Sequence, residues 1–218
     1  MNYNGIIYKS LHLITRFISK INWRGVRSLF NNGRGSDVIY SEQRDAELLL
    51  RDDNYFILTE HKTYLSTYFI RFMTWVKTGK WPRYCHILMN VEVDIVTDKE
   101  GFDLMEATNS GVHWSTFDDV FTCDNFCILK AKNVLASEWA TIMIGLNKQY
   151  GKSYDDFFNI KDSSHVSCVE MCLLSLKELP DFELRFPNLA KMVKDVGNLT
   201  PQMYRDCLDF EVVYETNH

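Results

Sequence analysis

The sequence predicts an α+β fold built on one central, mostly antiparallel sheet flanked by helices. Apolar runs with strand periodicity cluster in the middle of the chain, and helical patterns surround them. Hydrophobic and aromatic contents of 46% and 14% describe a globular chain, and only 4 prolines and 10 glycines leave little room for long linkers. At 218 residues the chain can bury one sizeable core with an appended element.

Within residues 1–36, Ile6, Ile7, Leu11, Ile14, Phe17, Ile18 and Ile21 recur at helical spacing, with Lys9, His12, Arg16 and Lys20 between them. This predicts a basic amphipathic helix ending near Trp23. Residues 31–36 (NNGRGS) form a linker that divides the chain into an N-terminal helix, 1–36, and a main domain, 37–218. The arm carries six basic residues and no acid, so with a total charge of -5 the remaining chain sums to -11. Such a helix can pack on its own domain, bind a protein partner or lie on an anionic membrane surface.

The main domain reads in order as follows. Residues 40–50 form a helix that Ser41 can cap, and 54–59 a buried strand. An aromatic-rich helix over 63–76 is stopped by Gly79, with Trp81-Pro82 making the turn. Residues 84–96 and 102–107 are two strands joined as a hairpin through 97–101, and 126–130 is a further short strand. A helix over 136–150 ends at Gly151, a second follows Cys168, and 208–214 closes the chain as a strand.

The six cysteines form no dense disulfide framework, and a reduced compartment is expected. With no leader and no apolar run of about 18 residues, the chain is expected in the cytoplasm. A peripheral membrane position, or delivery by lysis, a virion or a dedicated secretion system, needs neither feature.

Chemistry concentrates in residues 163–176, SSHVSCVEMCLLSL. Ser163, Ser164 and Ser167 suit an N-cap, and Glu170 suits the first turn of a helix that begins at Cys168. A thiol there meets unpaired N–H groups, which favour thiolate over thiol; the alternative is a small buried apolar residue. A nucleophilic cysteine needs a base, and the base an orienting group. Of the six histidines, His12 and His218 sit on the arm and at the terminus, His61 in a polar turn and His113 near a strand edge. His165 precedes Cys168 by three residues, and His86 stands on a strand, a rigid support. On the next strand Phe102, Leu104 and Glu106 share a face, so Glu106 is an acid on an apolar face that an imidazole would satisfy; a carboxylate tilted to water is the bland alternative.

Several segments, in order and spanning about 48–214, resemble the permuted NlpC-type papain-like hydrolases, the YiiX-like group. Asp53-Asn54-Tyr55-Phe56-Ile57-Leu58 is similar to their first strand. Tyr84-Cys85-His86-Ile87 resembles the strand bearing the base, and Leu104-Met105-Glu106-Ala107, with Gly111-Val112 beyond it, the strand bearing the acid. Gly151-Lys152-Ser153-Tyr154-Asp155 resembles their Gly-x-x-Tyr-Asp turn, Ser167-Cys168-Val169-Glu170 the nucleophile segment, and Thr200-Pro201 with Phe210-Glu211-Val212 the closing strand. The chain departs from the pattern at Cys85, Ser167 and Val169.

The resemblance implies a circularly permuted papain-like fold with Cys168 as nucleophile, His86 as base, Glu106 as orienting acid and Tyr154 lining the substrate site. It implies a cysteine peptidase or amidase that uses acyl-enzyme chemistry without a cofactor or metal, on a peptide or peptidoglycan substrate. Two other classes remain: a lipid-directed thioesterase, phospholipase or acyltransferase at a membrane surface, and an inactive papain-like binding module. A four-thiolate zinc site from Cys123, Cys127, Cys168 and Cys172 is disfavoured because Cys172 lies among Met171, Leu173 and Leu174. No nucleic-acid-binding motif is present, and nucleic acid is not expected as a partner.

Overall fold

A computed structural model describes residues 38–62, 65–91, 103–155, 164–197 and 199–217. The helix and linker expected over 1–36, and the hairpin turn expected over 97–101, lie outside them.

The first described helix, α1, spans Tyr40–Asp52. Its cap is Ile39 rather than Ser41, because the Glu42 carboxylate reaches back to the Ile39 N–H at 3.1 Å. Strand β1 (Phe56–Glu60) follows, then α2 (Leu65–Thr78), which ends where Gly79 takes a left-handed φ of 71° and returns its N–H to Trp75 O. Strands β2 (His86–Val91), β3 (Asp103–Thr108) and β4 (Gly111–Ser115) come next, then a short helix α3 (Phe117–Val120) and β5 (Asn125–Ala131). The helix expected over 136–150 is a 3-10 turn, Ala136–Glu138, leading into α4 (Trp139–Gln149). The short strands β6 (Ser153–Tyr154) and β7 (His165–Val166) pair in parallel just ahead of α5 (Cys168–Leu176). Helices α6 (Phe182–Arg185), α7 (Pro187–Val196) and α8 (Pro201–Asp206) lead to β8 (Phe210–Glu215). The sequence reading assigns no element to β4 or to α3, α6, α7 and α8.

The main sheet runs β4-β3-β2-β1-β5-β8, six strands, every neighbouring pair antiparallel. Alternation along the strands sends successive side chains to opposite faces. Phe56, Leu58, Ile87, Met89, Met105 and Leu129 join a core with α5, Tyr204 and Phe210. Ile57, Leu88, Leu104 and Ile128 join a second core with Ala46 and Leu50 of α1. The central strands are therefore buried on both faces.

Asn90 is fully buried in β2 and ties the layers together. Its carboxamide oxygen accepts from the Tyr55 N–H, and its nitrogen donates to Leu50 O and Asp53 O at 2.9 and 2.8 Å. These are carbonyls that the end of α1 would otherwise leave unpaired.

Candidate active site

Cys168 is the first residue of α5 because Ser167 closes the helix start. Ser167 is extended (φ -83°, ψ 167°), and its hydroxyl accepts from the Glu170 N–H at 3.4 Å. The Glu170 carboxylate accepts from the Ser167 N–H at 2.8 Å and from its hydroxyl at 2.7 Å. Two orphan donors of the first turn are thus satisfied reciprocally. Of the three candidate caps, the structure selects Ser167. Helix α5 lies against β2 and β3 on one side and α4 on the other, the latter in close approach because Gly145 carries no side chain.

The β2–β3 register sets Met89 opposite Met105, which makes His86 and Glu106 diagonal neighbours on adjacent strands. His86 Nε2 lies 2.8 Å from Glu106 Oε2. A carboxylate can only accept, so Nε2 carries the proton toward Glu106, and the Cys168 thiol stands close enough to the ring to favour its charged form. The structure therefore brings Cys168, His86 and Glu106 into one chain of contacts. Burial opposes charging of the imidazole, but the hydrogen bonds to Cys168 and Glu106 and their charges outweigh it and push His86 up to about 10. Burial likewise works against the Glu106 carboxylate, yet His86, the Ser115 hydroxyl and His113 hold it down at about 2. The His86 side chain keeps 19% exposure, whereas Cys168 is 1% exposed.

Two supports of Glu106 were invisible as such in the sequence. The Ser115 hydroxyl donates to Glu106 Oε1, and His113 Nε2 stands 3.6 Å from the same oxygen. His113 Nδ1 lies 3.0 Å from Gly111 O, a pure acceptor, so Nδ1 bears a proton. The signal that could have found both is the two-residue turn Asn109-Ser110. With Thr108 opposite Gly111, counting back places His113 opposite Glu106 and Ser115 opposite Leu104.

Tyr154 pairs with Val166, two residues before Cys168, and its half-buried side chain packs against the core that contains Cys168. Its turn is held by Val112 N–H to Lys152 O and Gly151 N–H to Val112 O, both 2.9 Å. Gly111 is required there: φ is +96°, and a Cβ would sit 2.5 Å from Lys152 O. His165 is exposed, with Nδ1 2.9 Å from the Ser164 hydroxyl.

The other thiols behave as buried apolar groups. Burial pushes Cys85, Cys123, Cys127 and Cys207 up to about 12, and Cys172 well above its ordinary value. None of the six cysteines is joined in a disulfide. Cys123, Cys127, Cys168 and Cys172 do not gather, and among the described residues no group of three or more His, Cys, Asp or Glu is placed to hold a metal ion.

No protein-family profile matches the chain, and no curated protein matches it in sequence. A solved structure does match in three dimensions: the metalloprotein yiiX of Escherichia coli O157:H7, with a TM-score of 0.55 over 76% of this chain and 98% of that one, at 16% identity. The chain has a YiiX-like fold. At that identity the likeness concerns the YiiX-like architecture, with its α+β order and antiparallel sheet. That neighbour is described as a metalloprotein. Here both Glu106 oxygens are engaged by His86 and Ser115, and no cluster of metal ligands stands around them among the described residues. No helix among the described residues is long and apolar enough to cross a membrane.

Proposed function

We propose that the chain is a cysteine hydrolase of the permuted papain-like, NlpC-type kind, acting on an amide or peptide bond through an acyl-enzyme. The observation that carries this reading is the His86 ring, hydrogen-bonded to Glu106 at 2.8 Å and raised in pKa by the Cys168 thiol beside it. A base held between a thiol and an orienting carboxylate is what nucleophilic catalysis by cysteine requires.

With His86 raised to about 10, its ring already holds the proton drawn from Cys168 before substrate arrives, and Sγ then adds to the substrate carbonyl. The oxyanion forms beside the Cys168 backbone N–H, which in the first turn of α5 has no acceptor within the helix. As the C–N bond breaks, the imidazolium returns the proton to the departing amine, leaving a thioester on Cys168. His86 then draws a proton from water, which adds to the thioester carbonyl, and the thiol leaves with the carboxylic acid released. Glu106 stays ionised and keeps Nε2 protonated, so Nδ1 remains the working nitrogen. Tyr154, on the turn beside the approach to Cys168, lines the substrate site.

A lipid acyl ester or thioester is the second reading. It is favoured by the exposed aromatic side of α2, which leads into the strand that carries His86.

The test is iodoacetamide labelling followed peptide by peptide across pH. Cys168 is expected to react at least about tenfold faster than Cys123 or Cys207 near neutral pH, an advantage that His86→Ala abolishes. Equal rates at the three cysteines would overturn the enzymatic reading in favour of an inactive binding module. Once reactivity is established, an acyl adduct on Cys168 from peptide or from lipid substrate decides between the two bond classes.

A further inference from the structure

Helix α2 is built with a polar side inward. Thr67, Arg71 and Thr74, spaced at i, i+4 and i+7, are 6%, 7% and 1% exposed. Tyr68, Phe72, Trp75 and Val76 occupy a neighbouring arc and are 48%, 40%, 46% and 58% exposed. A helix on a water-soluble surface ordinarily shows the reverse arrangement.

The inner side is bolted in place. The Thr67 hydroxyl donates to His61 O at 2.8 Å. Arg71 Nη2 spans Glu60 Oε1 at 2.5 Å and Arg83 O at 3.0 Å. Glu60 also accepts from Asn125 Nδ2 at 2.7 Å and from Arg83 Nε at 3.3 Å. Rolling the aromatic arc inward would break this buried charge network, so its outward orientation is fixed by the fold. The Phe72 and Trp75 rings stand 5.9 Å apart, and Trp81, 55% exposed, follows beyond the Gly79 turn.

Charge selects what covers such a surface. Residues 60–91 hold Lys62, Arg71, Lys77, Lys80 and Arg83 against the single acid Glu60, which Arg71 and Arg83 engage from within, a local charge of +4 in a chain whose total is -5. A second copy would set this basic stretch against itself across a two-fold axis. The chain's own first 36 residues carry +6 and would be repelled as well. Exposed Trp and Tyr flanked by lysine are the residues that favour the boundary between headgroups and acyl chains.

We propose that the Tyr68, Phe72, Trp75, Val76 and Trp81 surface docks on an anionic lipid membrane, with Lys80 on the exposed turn meeting lipid phosphates. The apolar groups enter the headgroup boundary, and Lys80, on the exposed turn, stays at headgroup level. Trp81 lies five residues before His86, so docking sets β2 close to the lipid. The surface is independent of the chemistry proposed for Cys168 and stands whether or not that thiol is a nucleophile.

The test is co-sedimentation of the full chain with phosphatidylcholine vesicles containing about one third phosphatidylglycerol, and with phosphatidylcholine alone. Binding to the anionic vesicles that weakens with added salt is expected. Phe72→Ser/Trp75→Ser and, separately, Lys77→Glu/Lys80→Glu are each expected to lower the partition coefficient at least about tenfold, with the rate of Cys168 labelling unchanged as the check on folding. The proposal is overturned if the anionic vesicles fail to bind the chain or if the aromatic pair leaves binding intact. Loss of binding through Arg16→Glu/Lys20→Glu alone, with both α2 variants still bound, would reassign it to the arm and overturn it too. A dimer that Phe72→Ser/Trp75→Ser dissociates, without vesicle binding, would instead assign the face to a second copy.

Discussion

Ser167 and Glu170 hold each other across the first turn of α5, each donating to or accepting from the other's backbone and side chain. Both are buried, so the start of the helix and the position of Cys168 rest on this pair. Ser167→Ala removes the cap and is expected to cost about 1 kcal/mol of unfolding free energy. Urea denaturation should show a lower midpoint with an unchanged slope.

The His86–Glu106 pair sets two opposed pH dependences. Glu106 is held near 2 against an ordinary 4.5, so its contribution to stability is present above 4.5 and is lost as pH falls towards 2. His86 is raised from 6.5 to about 10, so its contribution is complete below 6.5 and is lost as pH rises through 10. Unfolding free energy measured across pH should therefore fall on both sides of a plateau between about 4.5 and 6.5. Glu106→Gln should flatten the acid limb, and His86→Gln the alkaline one.

Arg71 neutralises Glu60 inside the protein, both side chains being under 10% exposed. Arg71→Ala leaves that carboxylate with Asn125 and Arg83 only. Removing one partner of a buried pair costs about 3–5 kcal/mol, and chemical denaturation should register a loss of that order.

Gly145 on α4 faces Ser175 on α5. A Cβ there would lie 2.7 Å from Ser175 Cα and 2.9 Å from Glu178 Cγ. Alanine favours helix by about 1 kcal/mol over glycine, yet overpacking of about 1–3 kcal/mol opposes it. Gly145→Ala is expected to lower the melting temperature by a few degrees, as followed by circular dichroism.

What the sequence made legible was local. The start of α5 is encoded in the serine-to-glutamate spacing, and β1, β2 and β3 in apolar runs, whereas singling out His86 and Glu106 took the resemblance as well as those segments. The strand β4 escaped because GVHWS is short and half polar, and with it went the roles of His113 and Ser115. Helices α6, α7 and α8 span 4, 10 and 6 residues, too short for a decisive period. Pro187 and Pro201 stand at the first positions of α7 and α8 and were the available signals. The inward polar side of α2 was out of reach because it depends on Glu60, whose partner becomes apparent only when β1 and the helix are folded together.

The strand order has a consequence for how the molecule is made. His86 and Glu106 sit on neighbouring strands, while Cys168 lies 62 residues beyond Glu106 in the chain. At about 5–20 residues per second, a ribosome needs about 3–12 s to cover that distance. The His86–Glu106 pair can thus leave the ribosome well before the thiol does, and β8, which completes the sheet beside β5, emerges later still. A nascent chain therefore holds His86 and Glu106 together on neighbouring strands before Cys168 has been added, and the thiol joins them only after β1 to β5 have been synthesised.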